Sequence, residues 1–205
     1  MKLGDIKIEA LKLMFASYSN SMTITDMDDL YTNEDYADYL YAMNGSIDRA
    51  IDRIKAERLQ TKKTLVLTGG TVGTYRTAYD LSAITDYYAV DRVIYEDTNG
   101  TYEERIDYII ENESLLLDNI DTSGEYRLIY YAEVDSATTM LDTAELSLKN
   151  DVARLIPYFI KGELFQEREP NLASESRNLF EQMLRELKTR SHNNQTKVKS
   201  VYYYD

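Results

Sequence analysis

Ser46-Ile47-Asp48-Arg49-Ala50-Ile51-Asp52-Arg53-Ile54 and, shortly after it, Thr64-Leu65-Val66-Leu67 follow two different grammars. In the first, Ile47, Ala50, Ile51 and Ile54 recur at three- and four-residue steps, so one face of a helix is apolar. Asp48, Arg49, Asp52, Arg53, Lys55, Glu57 and Arg58 crowd the remaining faces. In the second, a short apolar and β-branched run bounded by polar residues reads as a strand. The fold class turns on whether this change of grammar reverses later in the chain.

Before it, the chain is helical. From Asp5 to Tyr18 the residues Ile8, Leu11, Met14 and Phe15 form an apolar stripe, with Asp5 available as an N-cap. Thr32 or Asn33 can cap a second helix carrying Tyr36, Tyr39, Leu40 and Met43, Asn44-Gly45 ends it, and Ser46 opens a third. After Lys63 the runs Thr64 to Leu67, Tyr75 to Leu81, Tyr87 to Tyr95, Tyr102 to Ile110, Ser114 to Ile120 and Tyr126 to Val134 read as strands. Asp97-Thr98-Asn99-Gly100 and Asp121-Thr122-Ser123-Gly124 are hairpin signals, because these residues tolerate positive φ.

The grammar does reverse. From about Asn150 the residues Val152, Leu155, Ile156, Phe159 and Leu164 make a helical stripe, with Pro157 marking a kink or a restart. Pro170-Asn171 begins a last helix with Leu172, Leu179, Phe180, Met183, Leu184 and Leu187 on its apolar face. Beyond Lys188 the run is polar, and 191–205 reads as an extended, mobile C-terminal tail. The terminal helices need each other's apolar faces, whereas strands can close on themselves. The expected fold is therefore α+β: a helical bundle from 1–63 and 135–190, with a small antiparallel β barrel or sandwich inserted at 64–134.

Composition narrows the function. With no cysteine, the 205-residue chain has no disulfides, thiolate metal sites or thiol nucleophiles. No run of eighteen apolar residues is present, so no membrane partner is expected, and the first residues lack a signal peptide's apolar stretch. A net charge of −13 repels a phosphate backbone, which disfavours sequence-reading nucleic-acid recognition while suiting a wall past which DNA slides. Nineteen tyrosines and no tryptophan suit strands and protein interfaces.

No motif carries chemistry. The glycine-rich stretch Leu65 to Thr74 follows a strand but leads into the β-type run Tyr75-Arg76-Thr77-Ala78-Tyr79 instead of a helix, and it lacks the phosphate-loop lysine. His192, the single histidine, lies in the polar end of the chain. The acids Asp26, Asp28, Asp29, Glu34, Asp35 and Asp38 lack the glycine and distal glutamate of a calcium loop and read as a solvated surface. No serine stands in a nucleophile elbow. The expectation is a protein that is not an enzyme, with no cofactor and no metal.

The runs Glu9-Ala10-Leu11-Lys12-Leu13-Met14, Ile47 to Ile54 and Tyr79-Asp80-Leu81 resemble the start of head-to-tail adaptor (connector) proteins of long-tailed bacteriophages. Leu155-Ile156-Pro157-Tyr158-Phe159-Ile160-Lys161-Gly162-Glu163-Leu164-Phe165, Glu169-Pro170-Asn171-Leu172-Ala173 and Phe180-Glu181 resemble its later part. The resemblance implies a virion structural protein of the neck, made in the host cytoplasm. It would form a ring, usually a dodecamer, below the portal and connect the head to a stopper or tail-completion protein while DNA passes through. In that setting Lys197, Lys199, Tyr202, Tyr203 and Tyr204 would be the portal-docking tail, and Asp26, Asp28, Asp29, Glu34, Asp35 and Asp38 would face the channel. The competing expectation is a non-enzymatic ligand- or peptide-binding module built on the inserted β domain.

Overall fold

The computed structural model describes residues 1–15, 27–73, 75–118, 120 and 123–196, with the side chains of 28, 29 and 192–196 excepted. The fold is α+β, and the chain divides into two compact units. One is Met1–Leu59 together with the residues from Val134 onward; the other is Gln60–Glu133.

The first unit holds six helices among the described residues: α1 (Leu3–Phe15), α2 (Met27–Tyr31), α3 (Ala37–Ala56), α4 (Asn150–Ala153), α5 (Ile156–Leu164) and α6 (Pro170–Thr196). The short α5 lies against α1, α3 and α6. The shared core includes Leu3, Ile6, Leu11 and Met14 of α1, Leu40, Met43, Ile47, Ile51 and Ile54 of α3, and Ile156, Ile160, Phe180 and Leu184 of α5 and α6. Phe159, Leu164, Met183 and Leu187 are partly buried against it. Phe180 stacks edge-on against Phe159, with ring centroids 5.0 Å apart. Gly162 sets how closely α6 approaches: a Cβ there would stand 2.5 Å from Cγ of Arg177. Arg49 reaches Glu163 through two parallel hydrogen bonds, and Arg53 does the same to Glu181 while also bonding Glu57. These forks fasten α3 to α5 and α6.

Four sequence expectations are corrected in this unit. Asn44-Gly45 does not end a helix, because α3 runs through it: Leu40, Met43, Ile47, Ile51 and Ile54 stay in phase, and their burial outweighs glycine's cost of about 1 kcal/mol. Asp5 is not the N-cap of α1; it stands in the first turn and accepts a 3.2 Å hydrogen bond from the amide of Lys2. Leu172 and Leu179 are substantially exposed, because α6 turns Ala173, Ser176, Phe180 and Leu184 inward, small residues included. The expected tail from Ser191 is helical as far as Thr196, since extending a formed helix adds one hydrogen bond per residue fixed. Pro157 marks a restart, at the N-terminus of α5. The stretch 135–149 carries no helix. It is pinned to α3 by Asp48, which accepts bonds from the Ala137 amide at 2.6 Å and the Ser136 hydroxyl at 2.7 Å.

The second unit is a sandwich of two four-stranded antiparallel sheets, not a barrel. Its strands are β1 (Lys62–Val66), β2 (Thr71–Val72), β3 (Arg76–Asp80), β4 (Tyr87–Glu96), β5 (Tyr102–Arg105), β6 (Tyr108–Glu111), β7 (Ser114–Asp118) and β8 (Glu125–Ala132). The sheet orders are β1-β8-β4-β5 and β2-β3-β7-β6. Alternate residues point inward, so Val93 and Tyr95, Leu115 and Leu117, and Tyr126, Leu128 and Tyr130 meet in one core.

Asp97 to Gly100 makes the expected hairpin between β4 and β5: the Asp97 carboxylate accepts from the amides of Asn99 and Thr101, and Gly100 takes φ +78°. Asp121 to Gly124 does not make a hairpin, because it joins β7 to β8, which belong to different sheets. Asp121 and Thr122 lie outside the described residues. A second hairpin, unforeseen, turns at Asn112 and Glu113, both at positive φ. The expected strand Tyr102 to Ile110 is two strands, broken at Ile106-Asp107 where the chain crosses from one sheet to the other.

Candidate functional site

Of the residues singled out in the sequence, Lys197, Lys199, Tyr202, Tyr203, Tyr204 and Asp26 lie outside the described residues. Asp28 and Asp29 belong to α2, and their side chains lie outside the described set. Glu34, Asp35 and Asp38 are solvent-exposed around the turn that starts α3. Asn33 builds that turn, its side chain accepting from the Asp35 amide at 2.9 Å and its carbonyl from the amides of Tyr36 and Ala37. The three carboxylates thus sit at the positive end of a helix, where negative charge is favoured. Among the described residues no group of three or more histidine, cysteine or acidic side chains is placed to hold a metal ion. Among the described residues no helix is long and apolar enough to cross a membrane.

Each unit repeats one polar arrangement, a lysine, an aspartate and a tyrosine in mutual contact. In the helical unit Lys7, only 1 % exposed, donates to the Tyr31 hydroxyl at 2.9 Å and pairs with Asp142 at 2.7 Å. Tyr31 donates to the other oxygen of Asp142 at 2.9 Å. Burial first, and the hydrogen bond to Asp142 second, push the Tyr31 phenol well above its ordinary range, so it stays protonated and donating. The triad joins α1, α2 and the 135–149 stretch. Sequence reading passed over Lys7, although a signal existed: it interrupts the stripe of Leu3, Ile6, Ala10 and Leu11 on its buried side.

The sandwich carries two such triads side by side. Lys62 faces Tyr131 and Lys63 faces Tyr130 across the β1–β8 ladder. Lys62 and Tyr131 share Asp91, while Lys63 and Tyr130 share Asp86. Hydrogen bonding from Lys63 holds the Asp86 carboxyl below the usual range against an opposing effect of burial, with Tyr130 helping. Burial raises Asp91, but bonds from Lys62 and Tyr131 outweigh it and leave its carboxyl low. The Tyr130 phenol is pushed up to about 12, by burial and then by Asp86. With their donors spent on fixed carboxylates, these groups fasten strands together.

The sandwich leaves a hollow in which apolar side chains meet Thr68, Arg76, Thr77 and Glu125. A cavity of about 620 Å³ opens beside the glycine-rich turn between β1 and β2, lined in part by Val66, Leu67, Val72, Tyr75, Tyr79 and Tyr126. Val72 is 81 % and Tyr75 79 % exposed. At the other edge, Ile106 is 86 % exposed, and Tyr102, Ile109 and Ile110 are also open to solvent.

No protein-family model matches the chain, and no curated protein does. Among solved structures it is similar to a chain from the neck of an empty GTA particle computed with C6 symmetry, at 13 % identity over 82 % of this chain and 78 % of that one, with a TM-score of 0.30. A chain from the neck of the native GTA particle, computed with C12 symmetry, gives 15 % identity, coverage of 78 % and 79 %, and a TM-score of 0.30. A chain from the virion of the native gene transfer agent (GTA) particle gives 14 % identity, coverage of 81 % and 80 %, and a TM-score of 0.28. Similarity at this level decides neither fold nor function.

Proposed function

We propose that this chain is a non-enzymatic virion structural protein, a head-to-tail adaptor that forms a ring below the portal of a tailed-phage-type neck. The ring, a dodecamer by the family resemblance, would connect the DNA-filled head to a stopper or tail-completion protein and let DNA pass. One observation carries the reading. The sequence runs that resemble the adaptor family fall mainly on α1, α3, α5 and α6, and those helices supply one continuous core. A resemblance gathered onto a single scaffold is what descent with a retained bundle and a variable insertion would leave. The acidic balance fits a conduit that does not hold a passing polyanion.

The test is to mix the full-length protein with the portal protein from the same genome and to examine the product by electron microscopy. A ring seated on the portal is the expected result, and portal that stays bare at saturating protein overturns the reading. The second reading, a peptide- or ligand-binding module, is favoured by the cavity beside β1 and β2. Under it, a heptapeptide library would yield binders whose affinity Tyr79→Ala abolishes.

A further inference from the structure

The exposed apolar side chains of the sandwich sort onto two opposite flanks. Two residues, Ile106-Asp107, join β5 to β6, so these two edge strands lie on the same flank, one from each sheet. The short turn at residues 67–70 likewise puts edge strands β1 and β2 together on the opposite flank. The β5–β6 flank carries Tyr102, Ile106, Ile109 and Ile110, and the β1–β2 flank carries Leu65, Val66, Val72 and Tyr75. Among the described residues of the sandwich, Tyr88 is the exposed large apolar side chain lying off both flanks. Open edges with apolar residues are a liability that folded chains normally blunt or cover.

We propose that these flanks are the two halves of a contact between copies of this chain, the β5–β6 flank of one copy docking on the β1–β2 flank of the next. The proposal rests on the ring reading above and supplies its interface. Three observations choose a second copy as the occupant. First, each sheet has four strands and every pairing is antiparallel, so its two edge strands run in opposite directions. Copies in the same orientation around a ring therefore bring β5 beside β1, and β6 beside β2, in the antiparallel sense that both sheets already use. Second, the shapes differ in the complementary way: one flank projects Ile106 and the other opens the cavity beside Val66, Val72 and Tyr75. Third, the charges are opposed. Strands β5 and β6 carry Glu103, Glu104 and Glu111 against one base, Arg105, whereas β1 and β2 carry Lys62 and Lys63 and no acid. The lysines already hold Asp91 and Asp86, so charge lends the docking a weak bias while apolar contact holds it.

Such a contact is heterologous: each copy gives one face and accepts another, so repetition yields a closed ring or an open filament. The chain's lack of cysteine makes the test clean. Full-length Val72→Cys, Ile106→Cys and the double variant are purified, assembled with portal and without it, and treated with an oxidant or a short bismaleimide. The expected result is a ladder of linked multimers from the double variant, linked dimers from the two single variants mixed, and only background from either alone. Both positions are exposed, so an unchanged thermal midpoint is expected and checks folding. As a second measurement, Ile106→Lys should weaken assembly about tenfold or more, and Val72→Glu in the same chain should restore much of it. Rings without the link overturn the flank contact and leave the ring reading standing. Links in open filaments keep the contact and overturn the ring reading, and monomers without links overturn the contact. Dimers from a single variant alone as abundant as from the mixture show a symmetric contact, which also overturns it.

Discussion

The helical unit and the sandwich solve the same problem with different residues. The helical core is aliphatic and phenylalanine-based, with Phe15, Phe165 and Phe180 inside and tyrosines such as Tyr31, Tyr36 and Tyr39 at its margin, while the sandwich core is built around Tyr95, Tyr126 and Tyr130. Each uses lysine–aspartate–tyrosine triads, but Lys7 is sealed, whereas the Lys63 side chain remains 53 % exposed. The helical unit spends its charged forks on holding its own helices together. The sandwich closes its centre and leaves both flanks open.

The largest expected effect tests whether the two cores are separate. Phe180→Ala should cost the helical unit about 3–5 kcal/mol. In thermal denaturation followed by far-ultraviolet circular dichroism, the helical transition should fall, while amide hydrogen exchange in β4 and β8 should show the sandwich transition holding. A joint fall of both would break the comparison and show one cooperative unit.

Next comes the sealed triad. Lys7→Met leaves Asp142 and Tyr31 without their cation, and removing one member of a buried pair costs roughly 3 kcal/mol. Adding Asp142→Asn should return part of that loss, and urea titration of the single and double variants measures the coupling. Strict additivity would mean the triad is not a unit.

Asp86→Asn sharpens the contrast at smaller scale. The folded carboxyl lies below its unfolded value of about 4, so its stabilisation is complete above that pH and is lost as pH falls through the depressed value. For a pair this open to solvent the loss is under about 1 kcal/mol. The sandwich transition in Asp86→Asn should therefore depend less on pH below about 4 than in the parent, and equal slopes would dismiss the triad as a contributor. Smallest in stability is truncation after Thr196, which should leave helicity and melting unchanged yet abolish attachment to the portal. Normal attachment by the truncated chain would exclude Lys197, Lys199 and the terminal tyrosines as the anchor.

Much of the helical unit is legible in sequence because burial there has the period of the helix. The phase of Leu40, Met43, Ile47 and Ile51 even carries the information that Gly45 does not break α3, because burial on one continuous face outweighs the local cost of glycine. In α6, choosing residues by size favoured Leu172 and Leu179, whereas the inward face includes Ala173 and Ser176. Most strand positions were legible, but β2 inside the glycine-rich stretch, the break within Tyr102 to Ile110 and sheet membership were not. Alternation is the same on both sides of Ile106-Asp107, so it cannot reveal a crossing between sheets, and Asn112-Glu113 lacks the glycine that usually advertises such a turn. The acidic group at Glu34, Asp35 and Asp38 was visible as composition. The flanks were not, because which strands are edges is decided by pairing.

The stretch after the sandwich is stitched to the start of the chain: the amides of Leu3 and Gly4 bond to the carbonyls of Ala144 and Asp142, and the amide of Leu146 bonds to the carbonyl of Met1. On the ribosome, α1 and α3 emerge long before either this stretch or α5 exists to receive them. At about 5–20 residues per second, the roughly one hundred residues between α3 and α5 take on the order of 5–20 s. The sandwich is continuous in sequence and can close during that interval, while the amphipathic faces of α1 and α3 wait uncovered. Synthesis thus sets an order, insertion first and scaffold last, and chaperone demand should concentrate on the first sixty or so residues.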